Sequence, residues 1–249
     1  MSVSRILVGV LAFLPTIVIA QTSRRVDDET ATWIAYTGVH PLSPNWRLHL
    51  EAQLRQTEGA AQPQQRLFRT ALLRVLSSTV RVGGGYGFTR AYPPEEFVTN
   101  PRPVNEHRTY QQLDLSQPAV PVHVDHRYRL EQRWIRRLPT PTTGAGWTYT
   151  NRARYLVRGF VAPGGGAPSD GEAYFVAYDE VFVNFGKNVR NNVFDQNRAF
   201  AGVGYRWSRA VSTEIGYMNQ LIVRASGTEV ERNHTILIAF SSSVPLRRF

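Results

Sequence analysis

Apolar and polar residues alternate along most of this chain with a period of two. Between Trp46 and Glu58, Leu48, Leu50, Ala52 and Leu54 fall on one face, and Arg47, His49, Glu51, Gln53 and Arg55 on the other. Between Val122 and Trp134, Val122, Val124, Tyr128, Leu130 and Trp134 oppose His123, Asp125, Arg127, Arg129, Glu131 and Arg133. A helix, with its period of about 3.6, would mix these sets, whereas a strand separates them. Weaker alternation predicts further strands over 29–40, 64–78, 79–91, 106–117, 146–162, 171–186, 193–207, 210–224 and 231–243. The reading is an all-β chain without a helical interlude.

The connections between these segments come in two sizes. Ser77-Ser78-Thr79, Pro118 to Pro121 and Ser208-Arg209-Ala210 are tight, whereas 91–105 and 162–171, with Pro163-Gly164-Gly165-Gly166, are long. Mixed short turns and long loops in one meander predict an antiparallel transmembrane β-barrel, with tight turns on the periplasmic side and longer loops outside. The alternation yields eleven segments, and bacterial single-chain barrels have even strand numbers. The expectation is therefore ten to twelve strands, with twelve favoured and 21–28 or 244–249 supplying the last.

Alternation alone leaves open which face meets what. A soluble lipocalin-like barrel turns its apolar face inward, and a membrane barrel turns it to lipid with charges in the lumen. Long Arg side chains beside acids at matched spacing favour the membrane arrangement. So do the aromatics near strand ends: Trp33, Tyr36, Trp46, Tyr86, Phe88, Trp134, Trp147, Tyr205 and Trp207. Phe249 ends the chain as the signals read by barrel-assembly machinery do, although Pro245 and Arg247 stand where apolar residues are usual.

The first twenty residues change the picture further. Arg5 supplies a positive start, Ile6 to Leu14 an apolar stretch, and Val18-Ile19-Ala20 a small-residue cleavage site. The apolar stretch, about fifteen residues with Pro15 inside, falls short of the ~20 needed for a spanning helix. The expected organisation is a signal peptide over 1–20 and a barrel over 21–249, placed in the cell outer membrane. Beyond residue 20 no window is long and apolar enough for a helical span. The chain has no Cys, which excludes thiolate catalysis, cysteine-ligated zinc, iron–sulfur clusters and disulfides.

Charge concentrates on the polar faces, and 28 of the 29 basic residues are Arg, Lys187 being the exception. Arginine density peaks at Arg127, Arg129, Arg133, Arg136 and Arg137 and again at Arg152, Arg154 and Arg158. Like charges directly opposite on paired strands repel, so carboxylates must stand between them. The expected lumen network comprises Arg108, Asp125, Arg127, Arg129, Glu131, Arg133, Arg152, Arg154, Glu180, Arg198 and Glu214, with Glu106 as a further acid. Arg suits it because its planar fork bonds carboxylates bidentately. Such a network either fills a lumen of this size or lines a narrow pore that prefers small anions.

Catalysis has weaker support. Outer-membrane phospholipases carry a His-x-Ser spacing on a strand, and none of His40, His49, His107, His123, His126 and His234 is followed two residues later by Ser. His123 and Asp125 share a face, but a site needs a full constellation. No catalytic residue, cofactor or metal is expected. Asp179 is an oddity: it falls with Phe175, Ala177, Val181 and Val183 on the lipid face, where a bare carboxylate is costly. A bulge turning it inward would relieve the conflict. Without Arg5 the chain keeps 28 basic and 19 acidic residues, or +9. With an export signal, membrane lipid and lipopolysaccharide phosphates are the expected partners, and nucleic acid is not.

The chain also resembles an uncharacterised family of Gram-negative outer-membrane barrels, the domain-of-unknown-function (DUF) family 2490. The resembling stretches are Trp33 to Arg55, Glu106 to Leu113, His126 to Arg133, Asn151 to Tyr155, Tyr178-Asp179-Glu180, Phe194 to Arg198 and Glu214 to Gln220. The resemblance implies a barrel in the outer membrane and carries over no reaction.

Overall fold

The computed structural model describes residues 24–92, 102–118, 121–139 and 143–246. The expected signal peptide, Arg247 and Phe249 lie outside them. Eleven strands form one closed barrel: β1 (Arg25–Ser43), β2 (Trp46–Thr57), β3 (Gln62–Val75), β4 (Val80–Ala91), β5 (Val104–Pro118), β6 (His123–Arg137), β7 (Gly146–Val161), β8 (Glu172–Phe185), β9 (Phe194–Ser208), β10 (Val211–Val223) and β11 (Glu229–Ser242). A 3-10 turn over Glu58–Ala60 joins β2 to β3.

Eleven lies within the expected range but is not the even number that was favoured. Consecutive strands pair antiparallel, so with an odd count the first and last point the same way. They close the barrel in parallel, from Arg25 opposite Glu229 to Gly38 opposite Ser242. Residues 25–28 lengthen β1 instead of forming a strand of their own. One consequence is that β1 begins at one rim and β11 ends at the other.

The two rims differ. Connections after β1, β3, β5, β7 and β9 gather at one end, here the turn rim, and those after β2, β4, β6, β8 and β10 at the other, the loop rim. The long 162–171 connection belongs to the turn rim, against the expectation that long connections sit together on the outside. It is tied there by Gly166 N donating to Pro121 O (2.7 Å) and by Arg206 Nη1 donating to Pro168 O (2.8 Å).

The faces follow the alternation. Leu54, Phe68, Leu72, Tyr128, Leu130, Trp134, Ile215 and Ile236 are exposed on the outside, while Arg55, Arg69, Arg108, Arg129, Glu131, Arg152 and Arg154 are buried inside. Trp33 is an exception to the aromatic girdle. It is 3% exposed and faces the lumen, where Arg55 stacks over its ring at 3.8 Å and Arg198 at 5.0 Å. Around it an inward apolar cluster of Ala31, Ala35, Tyr174, Val176, Phe200, Met218 and Leu237 lines one wall. Strands β1 and β11 supply apolar residues to both faces.

Glycine makes room for one large lumen side chain. Gly85 on β4 lies opposite Tyr110 on β5, and a Cβ there would collide with the carbonyl of Thr70 and stand 2.7 Å from the Tyr110 ring. Tyr110 fills that space, is almost wholly buried, and carries Arg129 over its ring at 4.4 Å.

Candidate functional site

The register of the sheet places arginines directly opposite one another, Arg108 with Arg133 and Arg129 with Arg154. Carboxylates between them absorb the repulsion. Glu106 accepts from Arg108 through Nε (2.6 Å) and Nη2 (2.9 Å), and from Arg133 through Nε (2.6 Å) and Nη2 (3.2 Å). One carboxylate thus holds two forks, the geometry that makes Arg–carboxylate bonds strong.

Glu131 does the same one step further along. Its Oε2 accepts from Arg152 Nε and Nη2 at 2.9 and 2.6 Å, and its Oε1 from Arg154 Nη1 at 2.6 Å. Arg154 Nη2 donates in turn to Glu180 (2.7 Å), which also accepts from Arg127 (2.9 Å) and lies 3.6 Å from Arg198. Arg152 Nη1 donates to Asp195 (2.7 Å), which accepts from Asn184 Nδ2 (2.9 Å), and Arg133 Nη1 reaches the Asn184 amide oxygen at 3.4 Å. The chain of contacts from Glu106 to Arg198 crosses five strands, β5 to β9, and forms a belt across the lumen. Phe182, fully buried, lies beneath Arg152, Arg154 and Arg198 at 4.5–5.1 Å. Cation–π attraction supports guanidinium groups that carboxylates alone do not saturate.

Asp195 enters this belt through a bulge. Phe182 pairs with Gln196 and Val183 with Phe194, so Asp195 is the extra residue on β9 and turns inward beside Gln196. Asp179, where a bulge was expected, keeps regular register and stays outward. Asn197 Nδ2 on the adjacent strand donates to it at 2.7 Å. The conflict on that face is relieved by a neighbouring amide, not by rotation of the backbone.

The expected network residues therefore separate into groups. Arg108, Glu131, Arg133, Arg152, Arg154, Glu180, Arg127 and Arg198 meet in the belt. Asp125 and Glu214 sit nearer the turn rim, joined through Arg158, which hydrogen-bonds Glu214 and lies 3.9 Å from Asp125. Arg129 donates to the amide oxygen of Gln112 through Nε (3.0 Å) and Nη2 (2.5 Å), without a carboxylate among the described residues. Arg136 is outside the network, on the outer face, 5.4 Å from the Trp147 ring.

Sequence reasoning left out Glu51, Arg55, Arg69 and Asp195 from the network. Arg69 Nη1 donates to Glu51 at 2.6 Å, both buried, and Arg55 donates to Gln53 through Nε and Nη2. The alternation of Trp46 to Glu58 had already put Glu51, Gln53 and Arg55 on the polar face; Arg69, the partner of Glu51 across the sheet on β3, was the missing information.

A catalytic-looking trio stands at the turn rim. Ser116 Oγ lies 2.9 Å from His123 Nε2 and donates to Asp125 Oδ1 at 2.6 Å; that same Nε2 is 3.2 Å from Asp125 Oδ1. In a serine hydrolase the carboxylate orients one ring nitrogen while the other activates the hydroxyl. Here both acceptors crowd the same nitrogen, so the atoms do not form a relay.

Above the belt, toward the turn rim, lies a cavity of about 410 Å³. Trp33, Ala35, Leu237 and Ala239, from β1 and β11, line one side, and Arg127, Arg154, Leu156, Arg158, Glu180 and Arg198 the other and the floor. A family model described as a protein of unknown function (DUF2490) matches residues 30–231, well over half of the chain and nearly the whole barrel. No curated protein matches the sequence.

Proposed function

The chain belongs to the DUF2490 family, and for this member we propose an outer-membrane β-barrel with a structural role, its lumen closed at mid-height by the Arg–carboxylate belt. The reading is non-catalytic. The observation that carries it is the inverted sorting of side chains: a belt with fully buried Glu131 inside, and large apolar residues such as Leu54, Phe68, Leu130, Ile215 and Ile236 exposed outside. An apolar surface this extensive would drive aggregation in water, and a bilayer is the solvent that suits it.

Four histidines at outward strand positions support the membrane placement, three of them partly or fully exposed and His40 covered, its Nδ1 2.8 Å from Val244 O. Each pairs with a tyrosine hydroxyl: His40 with Tyr36 (2.8 Å) and His126 with Tyr155 (2.9 Å) toward the turn rim, His107 with Tyr86 (2.5 Å) and His234 with Tyr217 (2.7 Å) toward the loop rim. Rings with a polar tip suit the two borders of a bilayer, where one end is apolar and the other wet. Lipid and lipopolysaccharide are then the partners of the outer face, and barrel-assembly machinery the route of insertion.

A second reading, a narrow channel that prefers anions, draws on Arg55 and Arg129, whose hydrogen bonds go to amides. If the belt opens, those guanidinium groups face the passage.

Fractionation combined with cysteine labelling tests the placement, with a clean background because the chain has no Cys. Single cysteines at Leu50, Leu130 and Ile236 should react with lipid-phase probes, and cysteines at Gln53 and Arg129 should not. Recovery of the protein in the periplasmic fraction without detergent, or the opposite labelling pattern, would sink the proposal.

A further inference from the structure

The lumen above the belt combines two features that a plain structural plug does not require. The first is an apolar wall, built by β1 and β11, bordering a cavity whose far side and floor are charged. Trp33, Ala35, Leu237 and Ala239 come from the neighbouring strands β1 and β11, and all four border the 410 Å³ cavity. A second cavity of about 310 Å³ at the turn rim shares Thr37, Val39, Arg158, Ser212 and Ser241 with it and adds Phe160 and Tyr174. Together they make a path, apolar along one side, from the rim down to the belt.

The second feature is an excess of hydrogen-bond donors at the floor. Arg127, about a quarter exposed, reaches the cavity, and one of its donors is spent on Glu180. Arg198 is 3.6 Å from the nearest carboxylate oxygen, and Arg129 behind it donates to an amide. Among the described residues, the donors Nε of Arg127, Nε of Arg198 and Nη1 of Arg129 have no hydrogen-bond partner, and neither ring nitrogen of His49, one of them a donor, has one. His49 is 3% exposed and borders the cavity, its nearest carboxylate oxygen 3.5 Å away on Glu51. Buried donors left unpaired are costly, and several guanidinium groups sharing few carboxylates leave local positive charge that water reaches poorly.

An anionic head at the floor, held by Arg127, would balance that positive charge, and an apolar tail would cover the wall. We propose that the turn-rim cavity binds a single-tailed anionic amphiphile, with its carboxylate or phosphate head at Arg127 and its tail along Trp33, Leu237 and Ala239. Arg129 and Arg198 act behind the contact, by charge. The opening lies at the turn rim, and the belt makes the site a dead end.

The inference rests on the lumen being closed below the cavity. If that reading fails, the barrel conducts; if the binding inference fails, the barrel stays closed but binds nothing. The test uses the barrel folded in lipid nanodiscs, with equilibrium dialysis of radiolabelled octanoate and octyl phosphate against empty discs. Octanol serves as the neutral amphiphile and inorganic phosphate as the head alone. One saturable site for at least one of the two anions is expected, and their ratio tells carboxylate from phosphate preference. Arg127→Gln and Ala239→Phe should each weaken it at least tenfold. The two substitutions alter opposite walls, so a folding failure in one, seen as loss of the heat-dependent gel shift, leaves the other to decide. Absence of saturable binding, binding unchanged in the folded variants, or equal affinity for octanol or inorganic phosphate would overturn the proposal.

Discussion

Along the inner wall, the same residue types meet at two depths and do different things. At mid-height Glu131 is 0% exposed, and its two oxygens serve different arginines, Arg152 and Arg154, both at 2.6 Å. At the turn rim the Asp125 side chain is 36% exposed, accepts from Ser116, and has Arg158 at 3.9 Å. The chemistry is alike, carboxylate against guanidinium, but water reaches one and not the other. In the belt each group depends on its partners, because a charge left alone there has no solvent to turn to. At the rim, water substitutes for a lost partner. The value of an ion pair in this barrel is thus set by depth: buried partners are indispensable in the belt, and solvent stands in for them at the rim.

The sharpest way to break that comparison is to delete one carboxylate at each depth. Glu131→Ala leaves Arg152 with Asp195 alone and Arg154 with Glu180 alone, and should lower stability by about 3 kcal/mol, read as the unfolding midpoint in detergent. An intermediate effect is expected from Gly85→Val, which overfills the space occupied by Tyr110; overpacking of this kind costs about 1–3 kcal/mol. The smallest effect belongs to the rim. Asp125→Ala should change stability by about 0–1 kcal/mol, measured by the same unfolding curve. If Asp125→Ala matched Glu131→Ala, depth would not be the deciding variable.

The strands, their faces and most of the belt were legible in the sequence because a half-exposed strand writes its two environments as alternating residues. What was lost was lost for physical reasons. Trp33 reads as a girdle residue because Thr32-Trp33-Ile34-Ala35-Tyr36 is apolar on both faces, and alternation carries no message where both sides are apolar. The run Ile236 to Phe240 has the same ambiguity, and these two segments build the apolar wall of the cavity. Asp195 turns inward through a bulge that shifts pairing by one residue, which no local pattern announces. The outward Asp179 is tolerated through Asn197, a partner supplied by the next strand. Strand parity was beyond reach for a similar reason: parallel closure of β1 on β11 is a contact between the two ends of the chain. The 162–171 loop looked extracellular by its length, but its rim is fixed by counting strands.

Closure of the lumen by the belt is read out by recording from the purified barrel in a planar bilayer. The account predicts insertion without steady ion-conducting steps for the natural sequence, and anion-preferring current on replacing Glu131 by Ala in any fraction that remains folded. Reproducible ohmic openings of the natural barrel would contradict it.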